Sequence, residues 1–94
     1  MPLSKLTEKA DIDLIDSKIL VVDDKPINIQ NIYSILSSDY IILAATSGEE
    51  ALQVCQDNKP DLILLDVLMP NMSGLELCRL LKEDELTQSI PVIF

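Results

Sequence analysis

The sequence contains no histidine among its 94 residues. This absence excludes Ser–His–Asp and Cys–His nucleophile pairs, zinc sites that use histidine, and a histidine phosphocarrier. Only two cysteines are present, Cys55 and Cys78, and both lie in amphipathic helical patterns. We therefore expect buried free thiols rather than a disulfide.

Long apolar runs and basic residues are also scarce. No stretch approaches the roughly 20 apolar residues of a transmembrane helix, and the first residues lack the apolar core of a signal peptide. Seven Lys and Arg stand against sixteen Asp and Glu, giving a net charge of −9. Such a surface disfavours nucleic acid and anionic membranes, because phosphate contacts need Lys and Arg. We expect one small cytoplasmic domain with no nucleic-acid or membrane partner.

Three aspartates follow two short, strongly apolar runs. Ile19–Val22 precedes Asp23 and Asp24, and Leu62–Leu65 precedes Asp66. Such runs are typical of strands buried on both faces of a parallel sheet, and ligands bind at the carboxyl ends of these strands. If the two strands are neighbours, the three carboxylates converge and repel one another, which protonation of one of them or a bound cation would relieve. Their oxygen ligands suit Mg²⁺, and a carboxylate beside Mg²⁺ is compatible with phosphoryl transfer.

Strand and helix patterns alternate along the chain, which predicts a doubly wound α/β fold with a parallel sheet. Helix starts are indicated by Pro26 and by S-x-x-E capping boxes at Ser47 and Ser73. The pattern predicts four strands, Lys18–Asp23, Tyr40–Ala45, Leu62–Asp66 and Pro91–Phe94. Residues 1–17 form an N-terminal extension, either a mobile tail or a short helix with an apolar stripe.

The segment from Asp66 to Gly74, D-V-L-M-P-N-M-S-G, resembles the D-x-x-M-P-x-x-x-G segment of two-component response regulator receiver domains. Asp23 and Asp24 resemble the acidic pair of the same family, and the match runs over residues 18–94. The resemblance implies a flavodoxin-like receiver fold, whose strand order is 2-1-3-4-5. Met69-Pro70 would shape the loop, and Gly74 would lie where family members pack closely.

The resemblance also implies a role for each site residue. Asp66 would accept a phosphoryl group from a sensor histidine kinase and signal by conformational switching to an effector domain outside this chain. Mg²⁺ would be bound by Asp23, Asp24, Asp66 and the backbone carbonyl of Leu68. The family catalyses only its own phosphorylation and dephosphorylation, so we expect a signalling domain rather than an enzyme. Asn28, one turn into the first helix, could reach the acidic pocket, but we favour bonding to solvent or to the helix end.

Two family residues have no counterpart here. Receivers carry Ser or Thr after the fourth strand and Lys after the fifth, whereas Lys82 belongs to the third helix. We therefore expect a receiver fold incomplete at the C-terminus, lacking helix 4, strand 5 and helix 5. A fragment of a longer regulator and a natural short form are the two explanations. The fourth strand would then be an unpaired edge, and self-association through it is expected.

Other functions are compatible with the same residues. Asp23, Asp24 and Asp66 could be ordinary turn or helix-cap aspartates in a receiver-like interaction module that works without phosphorylation. A magnesium-dependent phosphatase or mutase with an aspartyl nucleophile would share the carboxylates. That class usually has a second aspartate two residues after the nucleophile, where this chain has Leu68. The receiver interpretation is therefore favoured.

Overall fold

A computed structural model describes residues 17–94, which form four strands alternating with three helices. In chain order these are β1 (Lys18–Val22), α1 (Pro26–Leu36), β2 (Ile41–Ala45), α2 (Gly48–Asn58), β3 (Leu62–Leu65), α3 (Gly74–Glu83) and β4 (Val92–Ile93). The strands are parallel in the order β2-β1-β3-β4. The predicted doubly wound α/β fold is confirmed, and its order reproduces the first four positions of 2-1-3-4-5. The helix considered within the N-terminal extension falls on residues 1–16, outside the described part of the chain.

The two central strands end one residue earlier than predicted. β1 ends at Val22 and β3 at Leu65, so Asp23 and Asp66 are the first residues beyond their strands. Their backbone N–H groups still continue the ladder, since Asp23 donates to the Ala45 carbonyl at 3.1 Å and Asp66 to the Val22 carbonyl at 2.9 Å. Both backbones are therefore fixed by the sheet while their side chains project beyond its edge. The outer strands are also shorter than predicted, beginning at Ile41 and Val92.

One face of the sheet carries the main hydrophobic core. Alternate residues of β1 and β3 point to this face because side chains along a strand alternate between its two sides. They pack against the buried stripes of α2 and α3, and the cluster includes Leu20, Val22, Ile63, Leu65, Ala51, Cys55, Leu77 and Leu81. This packing fixes β1 beside β3 and so sets the distance between the residues that follow them.

Both predicted capping boxes begin helices. The hydroxyl oxygens of Ser47 and Ser73 accept the N–H groups of Glu50 and Glu76, at 3.1 and 3.2 Å. In a standard capping box the glutamate side chain also accepts the backbone N–H of the N-cap residue, but here both glutamates bind other partners. The Glu50 carboxylate accepts the N–H of Thr46, one residue before the cap, at 2.6 Å. The Glu76 carboxylate instead binds the Arg79 guanidinium twice, which lowers the pKa of Glu76.

The opposite face of the sheet is covered less completely. α1 has no fully buried residue. Four apolar or aromatic side chains recur at helical spacing along it: Ile29, Ile32 and Leu36 are half-buried, whereas Tyr33 is 49% exposed. This stripe does not form a closed core. In residues 17–94, no helix is long and apolar enough to cross a lipid bilayer.

Candidate functional site

The three aspartates singled out from the sequence meet at the carboxyl edge of the sheet. β1 and β3 pair in register, with Val22 opposite Leu65, so Asp23 and Asp66 leave the sheet side by side. One carboxylate oxygen from each of Asp23, Asp24 and Asp66 lies within 4.8 Å of the other two. This confirms the predicted convergence. For Asp23 and Asp66 it follows from strand pairing, because the main-chain bonds of the sheet place both strand ends, and Asp24 is the next residue along the chain.

The loop after β3 holds the Asp66 side chain. The backbone N–H of Leu68 donates to Asp66 Oδ1 at 3.1 Å, so Asp66 closes a tight turn over its own loop. Asp23 makes the same contact after β1, where its Oδ1 accepts the Lys25 N–H at 2.9 Å. Asp23 and Asp66 are thus turn aspartates, as one of the alternative interpretations of the sequence predicted. It does not compete with a metal site, because each carboxylate retains further acceptor positions.

Asn28 also belongs to this site, which corrects the prediction that it would bond solvent or the helix end. Its side-chain amide donates to Asp23 Oδ2 at 3.0 Å across a gap of five residues. Asn28 occupies the third position of α1, and its amide is turned back toward the acidic edge. Sequence reasoning considered this contact and preferred the wrong partner, because no periodic or capping signal favours a bond to a residue before the helix.

The charge balance of the site favours a cation. At an effective dielectric near 20, two unit charges 4.8 Å apart repel by roughly 3 kcal/mol. Among residues 17–94, the basic side chain that forms an ion pair with one of these carboxylates is Lys25. Its Nζ lies 3.4 Å from Asp24 Oδ1, and its side chain is 61% exposed. Such an exposed pair contributes little. A small divalent ion that accepts oxygen ligands would relieve the repulsion, and Mg²⁺ fits the donor set of three carboxylates.

The loop after Asp66 is wedged against the start of α3. Met69 is buried and Leu68 is 81% exposed, so the loop anchors one side chain and projects the next outward. A Cβ placed on Gly74 would lie 2.7 Å from the Cα of Val67 and closer still to the carbonyl of Asp66. Gly74 also donates its N–H to the Val67 carbonyl at 2.9 Å. Only glycine permits this approach, as the close packing expected at this position requires.

An open cavity of about 480 Å³ borders the site on the less covered face of the sheet. Asp23 and Asp66 form its polar rim, and its walls are mainly apolar, with Val21, Ile32, Leu64, Val67, Ile93 and Phe94 among them. Ile93 is 51% exposed and Phe94 60% exposed. The acidic site therefore adjoins an apolar surface rather than a polar groove.

Comparisons with a family model and with individual relatives identify the same family for this chain. The sequence model of the response regulator receiver domain matches residues 19–94. Histidine kinase P4 of Formosa agariphila is 46% identical over 96 residues, which cover 97% of this chain and 7% of that protein. The polar-differentiation response regulator DivK of Brucella ovis is 38% identical over 76 residues, covering 80% of this chain and 62% of that protein.

Solved structures give the same result for the fold. The N-terminal domain of a response regulator receiver protein from Methanoculleus marisnigri superimposes with a TM-score of 0.78 at 41% identity. The match covers 80% of this chain and 62% of that one. The chain thus spans less than two thirds of the length of each of these relatives.

Proposed function

The chain belongs to the response regulator receiver domain family, and we propose that Asp66 accepts a phosphoryl group from a sensor histidine kinase in a Mg²⁺-dependent reaction. The observation that carries this proposal is the meeting of three carboxylates within 4.8 Å at the carboxyl edge of β1 and β3. Asp23, Asp24, Asp66 and the backbone carbonyl of Leu68 would hold the ion. Asp66 has a half-buried side chain at the sheet edge and a backbone fixed by the sheet.

The chemistry needs only a positioned carboxylate and charge neutralisation. An Asp66 oxygen attacks phosphorus, an O–P bond forms, and the P–N bond to the kinase histidine breaks, leaving its nitrogen with the electron pair. When bound, Mg²⁺ would neutralise charge on the phosphoryl oxygens. The Leu68 N–H donates to Asp66 Oδ1 at 3.1 Å and so limits rotation of the carboxylate. Asp66 would then supply one oxygen to the ion and the other as the nucleophile.

The remaining parts of the proposal concern signalling. The chain would act as a phosphoacceptor domain in the cytoplasm, with residues 1–17 as an extension and 18–94 as the receiver portion. Phosphorylation would shift an equilibrium between two conformations of the loops near the site, which an effector domain outside these residues would detect. Self-association would use the edge of β4, where Ile93 and the adjacent Phe94 are exposed. Sedimentation showing only monomer at high concentration would contradict that last point.

Phosphorylation is tested by treating the 94-residue chain with a small-molecule phosphodonor and Mg²⁺, followed by intact mass measurement. We expect the mass of one phosphoryl group on the wild type and none on Asp66→Asn. Asp57→Asn is the matched control, since Asp57 lies on α2, hydrogen-bonded to Gln53, and the substitution removes the same charge. The beryllofluoride mimic gives a second readout that needs no covalent step.

Three outcomes separate the candidate functions. Labelling that depends on Asp66 and on Mg²⁺ supports the proposal. Labelling that persists in Asp66→Asn would place the acceptor elsewhere. A wild-type chain that binds Mg²⁺ but takes up neither phosphoryl group nor mimic would contradict phosphorylation of these 94 residues by themselves. A phosphorylation-independent interaction module takes its place if a longer chain that includes the family's Ser or Thr and its Lys also fails to respond.

A further inference from the structure

We propose that Asn28 is a positioning residue for the metal site, because its side-chain amide holds the Asp23 carboxylate in the orientation that ligates the ion. This inference rests on the proposed function only in requiring that Mg²⁺ binds at the acidic edge. It assigns to Asn28 no contact with the metal or the phosphoryl group. Its effect would be exerted through Asp23.

The hydrogen bonds of Asp23 distinguish it from its two neighbours. Its Oδ1 accepts the Lys25 N–H at 2.9 Å, and its Oδ2 accepts the Asn28 amide at 3.0 Å. Among the hydrogen bonds of residues 17–94, Asp23 is the one carboxylate of the three whose two oxygens each accept a bond from a backbone N–H or a side-chain amide. Asp66 has the Leu68 N–H on a single oxygen, and Asp24 has the longer contact to the exposed Lys25 ammonium. Asp23 is also the most enclosed of the three.

The start of α1 explains why an asparagine reaches this carboxylate. Its N-cap residue, Lys25, has extended backbone and makes no side-chain cap bond. At the equivalent third position of α2 and α3 stand Glu50 and Glu76, whose N–H groups are capped by serine. The Asn28 N–H bonds the Lys25 carbonyl at 3.0 Å, which leaves its side chain available to reach past the N-cap to Asp23.

Holding a ligand carboxylate in advance strengthens metal binding, because the side chain then has less freedom to lose when the ion arrives. A neutral amide suits this role, since it donates without adding a positive charge that would compete with Mg²⁺. Each Asp23 oxygen also keeps acceptor capacity for the ion after its bond to the protein. Partners outside the ligand shell typically change metal affinity 10- to 100-fold. For one hydrogen bond from a neutral donor we expect the lower end, about tenfold.

A purely structural role, fixing the first turn of α1, is the competing explanation. It predicts a loss of stability with no change in the affinity of the folded protein for Mg²⁺. Asn31 provides a matched control, since it is the same residue type on the same helix and is exposed. Asn28→Ala and the similarly sized Asn28→Leu both remove the donor, whereas Asn31→Ala makes the same chemical change away from the site.

The experiment measures Mg²⁺ affinity by calorimetry on the 94-residue wild type and these variants, well below each melting temperature determined with EDTA. We expect affinity about tenfold weaker in Asn28→Ala and Asn28→Leu, and unchanged in Asn31→Ala. In ¹⁵N-edited NMR spectra of the wild type, the Asn28 side-chain amide signals should shift on Mg²⁺ addition while those of Asn31 do not.

The possible failures are distinguishable. If the wild type binds Mg²⁺ and both Asn28 variants bind it equally well, or more tightly, the positioning role is refuted while the metal site stands. If Asn31→Ala weakens binding as much as Asn28→Ala, the effect belongs to the helix and the inference also fails. If the wild type binds no Mg²⁺, both the proposed metal site and this inference are overturned.

Discussion

Two glycines of this chain occupy equivalent positions, yet the same substitution should destabilise the fold at one of them and change its stability little at the other. Gly48 and Gly74 each follow a capping serine and begin a helix, α2 and α3 respectively. Neither has a positive φ, so backbone freedom is not what either position requires. The difference lies in what an added methyl group would meet.

At Gly74 the obstacle is backbone. A Cβ would lie 2.7 Å from the Cα of Val67 and closer to the Asp66 carbonyl, and neither can move without displacing Asp66 and the loop that follows it. At Gly48 the obstacle is the Met72 side chain, with its sulfur nearest. A methionine side chain has three rotatable bonds and adapts readily. At Gly74 the methyl group therefore forces a shift of the loop backbone. At Gly48 it requires a rotamer change that moves the Met72 sulfur, together with a displacement of a few tenths of an ångström at the Met72 Cβ, which would lie 3.0 Å away.

The expected changes in the free energy of unfolding follow from this contrast. Overpacking against fixed atoms typically costs 1–3 kcal/mol, so we expect Gly74→Ala to destabilise the fold by about 2 kcal/mol. Gly48→Ala should change stability by less than about 0.5 kcal/mol, because restricting the unfolded chain offsets the movement of Met72. In a domain of this size, 1 kcal/mol corresponds to roughly 4–8 °C in Tm. The two variants should therefore melt about 10 °C apart.

Thermal and urea unfolding of both variants with EDTA provide the measurement. Gly74→Ala should also weaken Mg²⁺ binding, because the displaced backbone includes Asp66, whereas Gly48→Ala should not. If Gly74→Ala proves as stable as Gly48→Ala, the close approach of α3 to the loop is not the constraint inferred here.

Three further predictions concern charge and ionisation. Asp66→Asn should raise the metal-free unfolding free energy by about 1 kcal/mol, since it removes like-charge repulsion at a half-buried site, and should weaken stabilisation by Mg²⁺; a metal-free loss would contradict this. Lys25→Met should raise Mg²⁺ affinity about twofold at low salt, because the ammonium 3.4 Å from Asp24 Oδ1 competes with the ion; calorimetry at two salt concentrations checks this, and unchanged affinity would contradict it. Burial raises the pKa of the Cys55 thiol from 9.0 to about 11, so its contribution to stability is complete below pH 9 and is lost as the pH rises toward 11. Urea unfolding of the wild type and Cys55→Ala over this range should show the difference, and Cys55 should react with thiol reagents more slowly than the half-buried Cys78.

Much of the fold could be predicted because its signals are local. The runs before Asp23 and Asp66 are too apolar and too short for anything but buried strands, and serine followed three residues later by glutamate begins two helices. The meeting of the aspartates then follows from strand order, which the family resemblance supplied. None of this required knowledge of individual side-chain contacts.

Individual side-chain contacts could not be predicted from local sequence patterns. Thr87 lies in the polar segment between α3 and β4, yet it is only 5% exposed and its hydroxyl donates to the Leu81 carbonyl at 2.6 Å. Met72 lies against Gly48 from a loop 24 positions later in the sequence. Polarity and hydropathy describe a residue's average preference, so they cannot indicate that one threonine finds a buried acceptor or that one methionine fills the space above a glycine.

The wrong prediction for Asn28 has a specific physical cause. Rules for helix starts relate the third helical residue to the N-cap three positions earlier, here Lys25. The observed acceptor is Asp23, five positions earlier. That residue comes within reach because its own Oδ1 accepts the Lys25 N–H and closes a turn between strand and helix. One local bond thus creates the geometry for the next, and a rule that considers each bond separately predicts the first but not the second.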